Sequence, residues 1–218
     1  MDHSEILTAF HFRHACKIFD STRKISETDF NLILESARLS PSSFGFEPWH
    51  LVIVQDPHLR DLLKPNAWGA PVKLDTASHF VLVLTMKSPL IKWDATYISD
   101  FMRNVQHLSE DLITPRIKLF QQFQSIDFDL TDERKLFDWA SKQSYIAMGN
   151  MMTVAALLGI DSCPIEGFNQ VETEKVLHEH FNMDTAQYGI SYMLAFGYRL
   201  NEPKVKTRKS MEQITTWK

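Results

Sequence analysis

Glycine and cysteine are both scarce in this 218-residue chain, at seven and two. The two cysteines, Cys16 and Cys163, are too few for a disulfide framework, and without a C-x-x-C spacing they do not read as an exchanging or chelating pair. So few glycines leave no G-x-G-x-x-G fingerprint and no G-x-x-x-x-G-K-[ST] loop. If a nicotinamide is used, it is not held in the usual dinucleotide fold. No Ser lies in a G-x-S-x-G elbow, which removes that hydrolase signature. No uncharged apolar run reaches the roughly 18 residues of a membrane span. Met1 to Glu5 lacks the basic and then apolar parts of a signal peptide, so a cytoplasmic protein with no membrane partner is expected. A net charge of −4 gives no overall attraction to nucleic acid, and only the C-terminal tail offers a basic patch.

What is present is a full apolar complement, 44% of residues, and the length suits a single domain over residues 1–218. Ser4 is placed to cap a first helix carrying Ile6, Leu7 and Phe10. Ser26 with Asp29 three residues on resembles a capping box for a second, in which Phe30, Ile33, Leu34 and Ala37 share one face. Pro41 ends that helix near Ser40. Residues 49–55, 80–86, 161–165 and 188–198 read as strands. Phe80 to Met86 is apolar on both alternating faces, which predicts a sheet interior covered by helices on each side. The expected class is α+β, with a mixed central sheet flanked by helices.

Residues 93–125 carry helical spacing, 126–130 break it, and Thr131 offers a new cap. A long helix is predicted from Asp132 to Leu158, with Gly159 closing it, and from Tyr145 onward it is apolar on nearly every side. Its small residues Ala147, Gly149, Ala155 and Ala156 admit close approach of the same helix from a second subunit, so a homodimer is expected. The cation-rich residues 200–218 end in Thr216, Trp217 and Lys218, a sequence suited to docking.

Metal ligation finds little support. His178 and His180, flanking Glu179, point in nearly opposite directions on a helix and read as a solvated face. His58, His79 and His107 stand alone. The cations Arg13 and Lys17 near one end, and Lys204, Lys206, Arg208 and Lys209 near the other, are either two solvated runs or parts of a phosphate site. The hydroxyls and N–H groups of Ser42 and Ser43, in a loop stiffened by Pro41 and Pro48, are further donors or a plain polar turn. Pro164-Ile165-Glu166-Gly167-Phe168 follows a small apolar run and puts a glycine where backbone must come close to something flat.

Together, Arg13 to Lys17, Ser40 to His50, Lys142 to Met151, Pro164 to Phe168 and Lys204 to Lys209 resemble, in order and separation, the ordered segments of the nitroreductase family of FMN-dependent oxidoreductases. The resemblance implies an intertwined homodimer with FMN at its interface and NADH or NADPH as donor. It places Arg13, Lys206 and Arg208 on the FMN phosphate, with His14 and Ala15 beside them. Lys17 would face the ring, and Lys73 its pyrimidine end. Pro41, Ser42, Ser43 and Gly45 would come from the partner subunit, and Gln143 would lie near the ribityl chain or ring. The turn of Pro164, Ile165, Glu166 and Gly167 would run along the isoalloxazine edge with a backbone N–H toward N5. The C-terminal tail, 200–218, would dock at the FMN site and on the partner.

The chain departs from the family pattern at Ala15, Gly45, Phe46, Glu47 and Ala70, where Ser, Asn, a small polar residue, Gln and Asn are usual. Phe44, Phe46, Trp68, Trp93, Phe101, Phe120 and Phe123 either wall an apolar pocket for flat aromatic or quinone-like acceptors or pack as ordinary core. The resemblance implies no titrating catalytic side chain, because the chemistry is on the flavin; Lys17 and Glu166 are expected near the ring. Two rival expectations are an FMN-sequestering protein without NAD(P)H turnover, and a non-redox nucleic-acid-binding protein using the basic tail.

Overall fold

The computed structural model describes residues 2–218. In chain order the elements are α1 (His3–Phe12), α2 (Glu27–Arg38), β1 (Trp49–Ile53), α3 (Pro57–Leu63), α4 (Pro71–Thr76), β2 (His79–Met86), α5 (Ser88–Ile91), α6 (Thr96–Asn104), α7 (Glu110–Gln122), α8 (Glu133–Leu157), β3 (Asp161–Ile165), α9 (Gln170–Phe181) and β4 (Tyr188–Gly197). The caps explain where several begin. Ser26 accepts the Asp29 N–H and starts α2. At α1 the cap is Asp2 rather than Ser4, because Glu5 three residues on returns to the Asp2 N–H at 2.7 Å. At α8 it is Asp132 rather than Thr131, accepting the Lys135 N–H. Gly159, at φ 70°, follows the end of α8 in the left-handed form.

The strands form one sheet of order β1-β2-β4-β3, antiparallel at every pairing. This corrects the expectation of a mixed sheet. Among the described residues the parallel element is one isolated bridge, between Ala15 and Ser162. The double-faced apolar run of β2 reports burial on both sides, and an antiparallel interior strand satisfies that as well as a parallel one. On one face Phe80, Leu82 and Leu84 join Met193, Ala195, Cys163 and residues of α3, α4 and α9. On the other Val81 and Val83 join Tyr192, Leu194, Phe196 and the apolar sides of α2 and α8. Fully burying one such side chain stabilises the fold by about 2 kcal/mol, so the sheet interior is the anchor for everything attached to its ends.

A third cluster lies beyond the sheet. Phe46, Phe101, Phe120 and Trp139 close around Ile98, Met102 and Ile113, with Phe44, Trp93 and Phe123 packed against them. Six of the seven aromatics singled out as pocket walls therefore pack as the core of the α6–α7 excursion. Trp68 differs, at 81% exposed. The break after α7 is a π turn over Phe123–Asp127, followed by Asp129 at φ 51°.

Candidate functional site

Two glycines fix the turn after β3. The Gly69 N–H donates to the Gly167 carbonyl at 2.7 Å, and a Cβ on Gly167 would stand 2.9 Å from the Gly69 Cα and 3.1 Å from the Trp68 indole. Backbone faces backbone there, with no room for a side chain on either glycine. Neither the Glu166 nor the Gly167 N–H donates to a protein acceptor among the described residues. The Glu166 carboxylate accepts the Tyr145 hydroxyl from α8. The two line part of a cavity of about 740 Å³ between α8, β4 and this turn.

Segment 13–17 is laid beside β3 by the Ala15–Ser162 bridge and by the Cys16 N–H on the Ser162 carbonyl at 3.1 Å. Burial pushes the Cys16 thiol up to about 11. Burial also raises the Cys163 thiol, against the opposing pull of the Lys73 and Lys17 ammonium groups. Both cysteines are thus inert thiols at neutral pH, and both lysines lie close enough to β3 to act on it. Lys73 donates to the Gly69 carbonyl at 2.7 Å. Ala70, which begins α4, is fully buried.

The basic residues converge at the end of α1. Lys206 donates to the carbonyls of Phe10 and Arg13, where a cation satisfies helix-end acceptors. Its ammonium is held below the usual lysine range, first by desolvation and then by Arg13 and Arg208. Three cations from opposite ends of the chain therefore share one neighbourhood. Beneath them is a pair that sequence reasoning missed. Asp161, 3% exposed, accepts the Arg199 N–H at 2.8 Å and its Nε at 3.1 Å. The Arg199 guanidinium continues to the Phe12 carbonyl at 3.1 Å and lies over the Phe12 ring. His14 Nδ1 is 3.5 Å from Asp161, and burial with the Arg199 charge keeps its imidazole below the usual histidine pKa. Residues 12 and 14 are thereby clamped on either side of Arg13. Asp161 opens β3 and Arg199 follows β4, two strands that pair with each other, so only the sheet register brings them together.

A second group stands apart. The Ser43 N–H donates to Gln143 Oε1 at 2.9 Å, and the Ser42 hydroxyl accepts the Glu47 N–H at 2.9 Å. Gln143, which holds this loop, and Tyr145, which holds Glu166, are two residues apart on α8. Side chains so spaced diverge by roughly 200°. Loop 41–47 and the 164–167 turn thus sit on opposite sides of α8. One chain brings Arg13, His14, Ala15, Lys17, Lys73, Pro164 to Gly167, Lys206 and Arg208 to the β3 side, and Pro41, Ser42, Ser43, Gly45 and Gln143 to the other.

A profile described as "Nitroreductase family" matches residues 11–198. The chain belongs to the nitroreductase family. Its curated relatives include "Putative NAD(P)H nitroreductase SERP2086" of Staphylococcus epidermidis, 52% identical over 213 residues with 97% of this chain and 96% of that protein covered. Another is "Putative NAD(P)H nitroreductase YfkO" of Bacillus subtilis, 46% identical over 215 residues and covering 98% and 97%. Among solved structures, a protein of Exiguobacterium sibiricum described as "a putative nitroreductase in complex with FMN" superposes with TM-score 0.76 at 23% identity, covering 100% of this chain and 98% of that one. That likeness shows a nitroreductase-like α+β fold. The family is one of oxidoreductase enzymes. Among the described residues no group of three metal-ligating side chains forms, and no helix is long and apolar enough to cross a membrane.

Proposed function

We propose that this nitroreductase is a cytoplasmic, FMN-dependent homodimer that takes hydride from NADH or NADPH and passes it, in a ping-pong cycle, to nitroaromatic, quinone or related conjugated acceptors. The observation that carries the reading is the meeting of Arg13, Lys206 and Arg208 by the start of β3, with a turn after the other end of that strand whose Glu166 and Gly167 N–H groups have no protein acceptor among the described residues. A phosphate dianion matches that cation set, with Arg supplying planar forks of donors and Lys a point charge. The relatives named NAD(P)H nitroreductases and the FMN-bound neighbour support the same cofactors.

When bound, FMN supplies the two-electron chemistry. The chain's own residues bind and orient. Arg13, with Lys206 and Arg208, neutralises the phosphate, and the Asp161–Arg199 clamp fixes the segment that presents Arg13. Lys17 and Lys73 place positive charge beside β3, where it would stabilise negative charge on a bound flavin. The Glu166 and Gly167 backbone N–H groups would serve as donors to the ring, so no titrating side chain would be required as acid or base. Pro41, Ser42, Ser43, Gly45 and Gln143 would reach a flavin held by the partner subunit, since in their own chain α8 stands between them and the turn. Gly149 on α8 has open space around a built Cβ, and Ile146 and Leu157 are exposed, as a helix that packs on its own copy requires. Trp217 and Val205, more than nine-tenths exposed in one chain, would find cover on the partner subunit through the docked tail.

The deciding experiment is the visible spectrum of the purified protein, with anaerobic addition of NADH and then NADPH. Two flavin bands that bleach on addition support the reading and reveal the donor. Bound FMN that is not reduced makes this a flavin-sequestering protein. A colourless protein that takes up no FMN overturns the cofactor. At residue level, Lys206→Ala with Arg208→Ala should weaken FMN binding by roughly a hundredfold, since charge-assisted hydrogen bonds are the strong ones. Unchanged affinity would refute the phosphate role.

A further inference from the structure

Loop 41–47 is built from backbone that side-chain-bearing residues adopt at a cost. Phe44, Gly45 and Glu47 all have positive φ, at 59°, 71° and 47°. Such a turn persists only where its surroundings hold it. The Gln143 carboxamide holds the Ser43 N–H, and the Tyr97 hydroxyl donates to the Phe46 carbonyl at 3.2 Å. The Phe44 and Gly45 carbonyls are held by one side chain from just beyond α6. Gln106 Nε2 donates to the Phe44 carbonyl at 2.9 Å and to that of Gly45 at 3.4 Å.

Two carbonyl acceptors require the NH₂ end of the amide, so its orientation follows from chemistry. Oε1 is turned away, buried and without a partner among the described residues. A Cβ built on Gly45 would stand 3.1 Å from Gln106 Nε2. The space that a side chain at 45 needs is therefore the space this amide fills.

We propose that Gln106 is a positioning residue for the flavin site: its carboxamide, delivered from the end of α6, replaces the side chain that Gly45 lacks and locks Ser42 and Ser43 in their binding form. The inference rests on the FMN reading above and goes beyond it by assigning a role to a residue outside every recognised segment. With the Nε2 bonds removed, two carbonyls lose their donor and the left-handed residues relax, carrying Ser42 and Ser43 with them.

The test is an FMN titration, followed by flavin fluorescence, on wild type, Gln106→Ala, Gln106→Glu, Gly45→Asn and the Gly45→Asn/Gln106→Ala pair. Gln106→Ala and Gln106→Glu should each weaken FMN by roughly tenfold, the latter because a carboxylate cannot donate to carbonyls. Gly45→Asn alone should also weaken it, since its Cβ meets the amide. In the double variant the Asn, which tolerates positive φ, should restore most of the affinity lost by Gln106→Ala. Rescue of this kind is not expected from a residue that merely packs. Wild-type affinity in Gln106→Ala, or losses that simply add in the double variant, would overturn the proposal. Gln106→Met keeps the length without the donors and replaces the Ala variant if that one does not fold. A wild type that takes up no FMN overturns the flavin reading and this inference together, whereas a flavin-binding wild type with an indifferent Gln106 overturns only the inference.

Discussion

The β3 side of the molecule and the unit made by loop 41–47 with the α6–α7 excursion do the same kind of work by opposite means. On the β3 side, short segments are fixed by strand pairing, by two glycines in backbone contact and by the buried Asp161–Arg199 pair. In the loop unit, the backbone is in unfavourable geometry and is held by aromatic packing, with Phe44 ring centroids 4.7 Å from Phe120 and 5.0 Å from Phe123, and by single amides from distant positions. The first arrangement ties function to residue identity, because a cation, a carboxylate or a glycine has no substitute there. The second tolerates exchange, since any neighbour that supplies a donor and volume will do.

Breaking the charged side should give the largest effect. Asp161→Ala leaves the Arg199 guanidinium, 14% exposed, with only the exposed Glu202 carboxylate at 3.6 Å, and removing one partner of a buried pair costs roughly 3 kcal/mol. Urea unfolding would measure this, and FMN affinity should fall with it because the clamp around Arg13 loosens. A loss below about 1 kcal/mol would show that the pair behaves as a surface contact.

A histidine remote from both regions sharpens the comparison through pH. Burial, with the Arg60 and Lys24 charges, lowers His79 to about 4, and its ring stacks on Phe30 with centroids 3.8 Å apart. Its folded pKa lies below the unfolded value, so the neutral form favours the fold. Above about pH 6.5 the stabilisation is complete. Between about 6.5 and 4 the unfolded chain takes the proton first and stability falls, and below about 4 the loss is complete. After allowance for solvent screening the effect is about 2 kcal/mol. His79→Phe should flatten that limb in wild type and in Asp161→Ala alike. A limb that changes with Asp161 instead would mean that His14, not His79, governs it.

How much was legible in the sequence follows the same division. The α2 face, the long helix α8, all four strand positions and the Pro164 turn were visible, because each is a local signal: a period, a cap, a proline or a glycine. Strand direction was not, since alternation reports burial of the two faces and not the sense of pairing. Asp161 with Arg199, 38 residues apart, and Gln106 with Phe44, 62 apart, were invisible for one reason. Their partners are set by sheet register and by packing of the excursion, neither of which leaves a spacing in the chain. The aromatics of residues 93–128 were visible as aromatics, but only the fold shows that Phe101 and Phe120 close a core.

The smallest effect is the most diagnostic of the loop unit. Truncating Phe44 removes its contacts with Phe46, Phe120 and Phe123 whatever replaces it, so Phe44→Ala and Phe44→Gly lose the same packing. They differ in backbone. In a helix or a strand Ala is the more stabilising of the two by roughly 0.5–1 kcal/mol. At φ 59° the order should invert, because Gly enters the left-handed region freely while Ala pays about 1 kcal/mol for its Cβ. Phe44→Gly should therefore unfold at a higher urea midpoint than Phe44→Ala. The ordinary order, with Ala the more stable, would mean that residue 44 leaves the left-handed region once its ring is gone. The turn would then be held by the aromatic side chain alone rather than by the Gln106 amide and Tyr97 hydroxyl that grip its carbonyls.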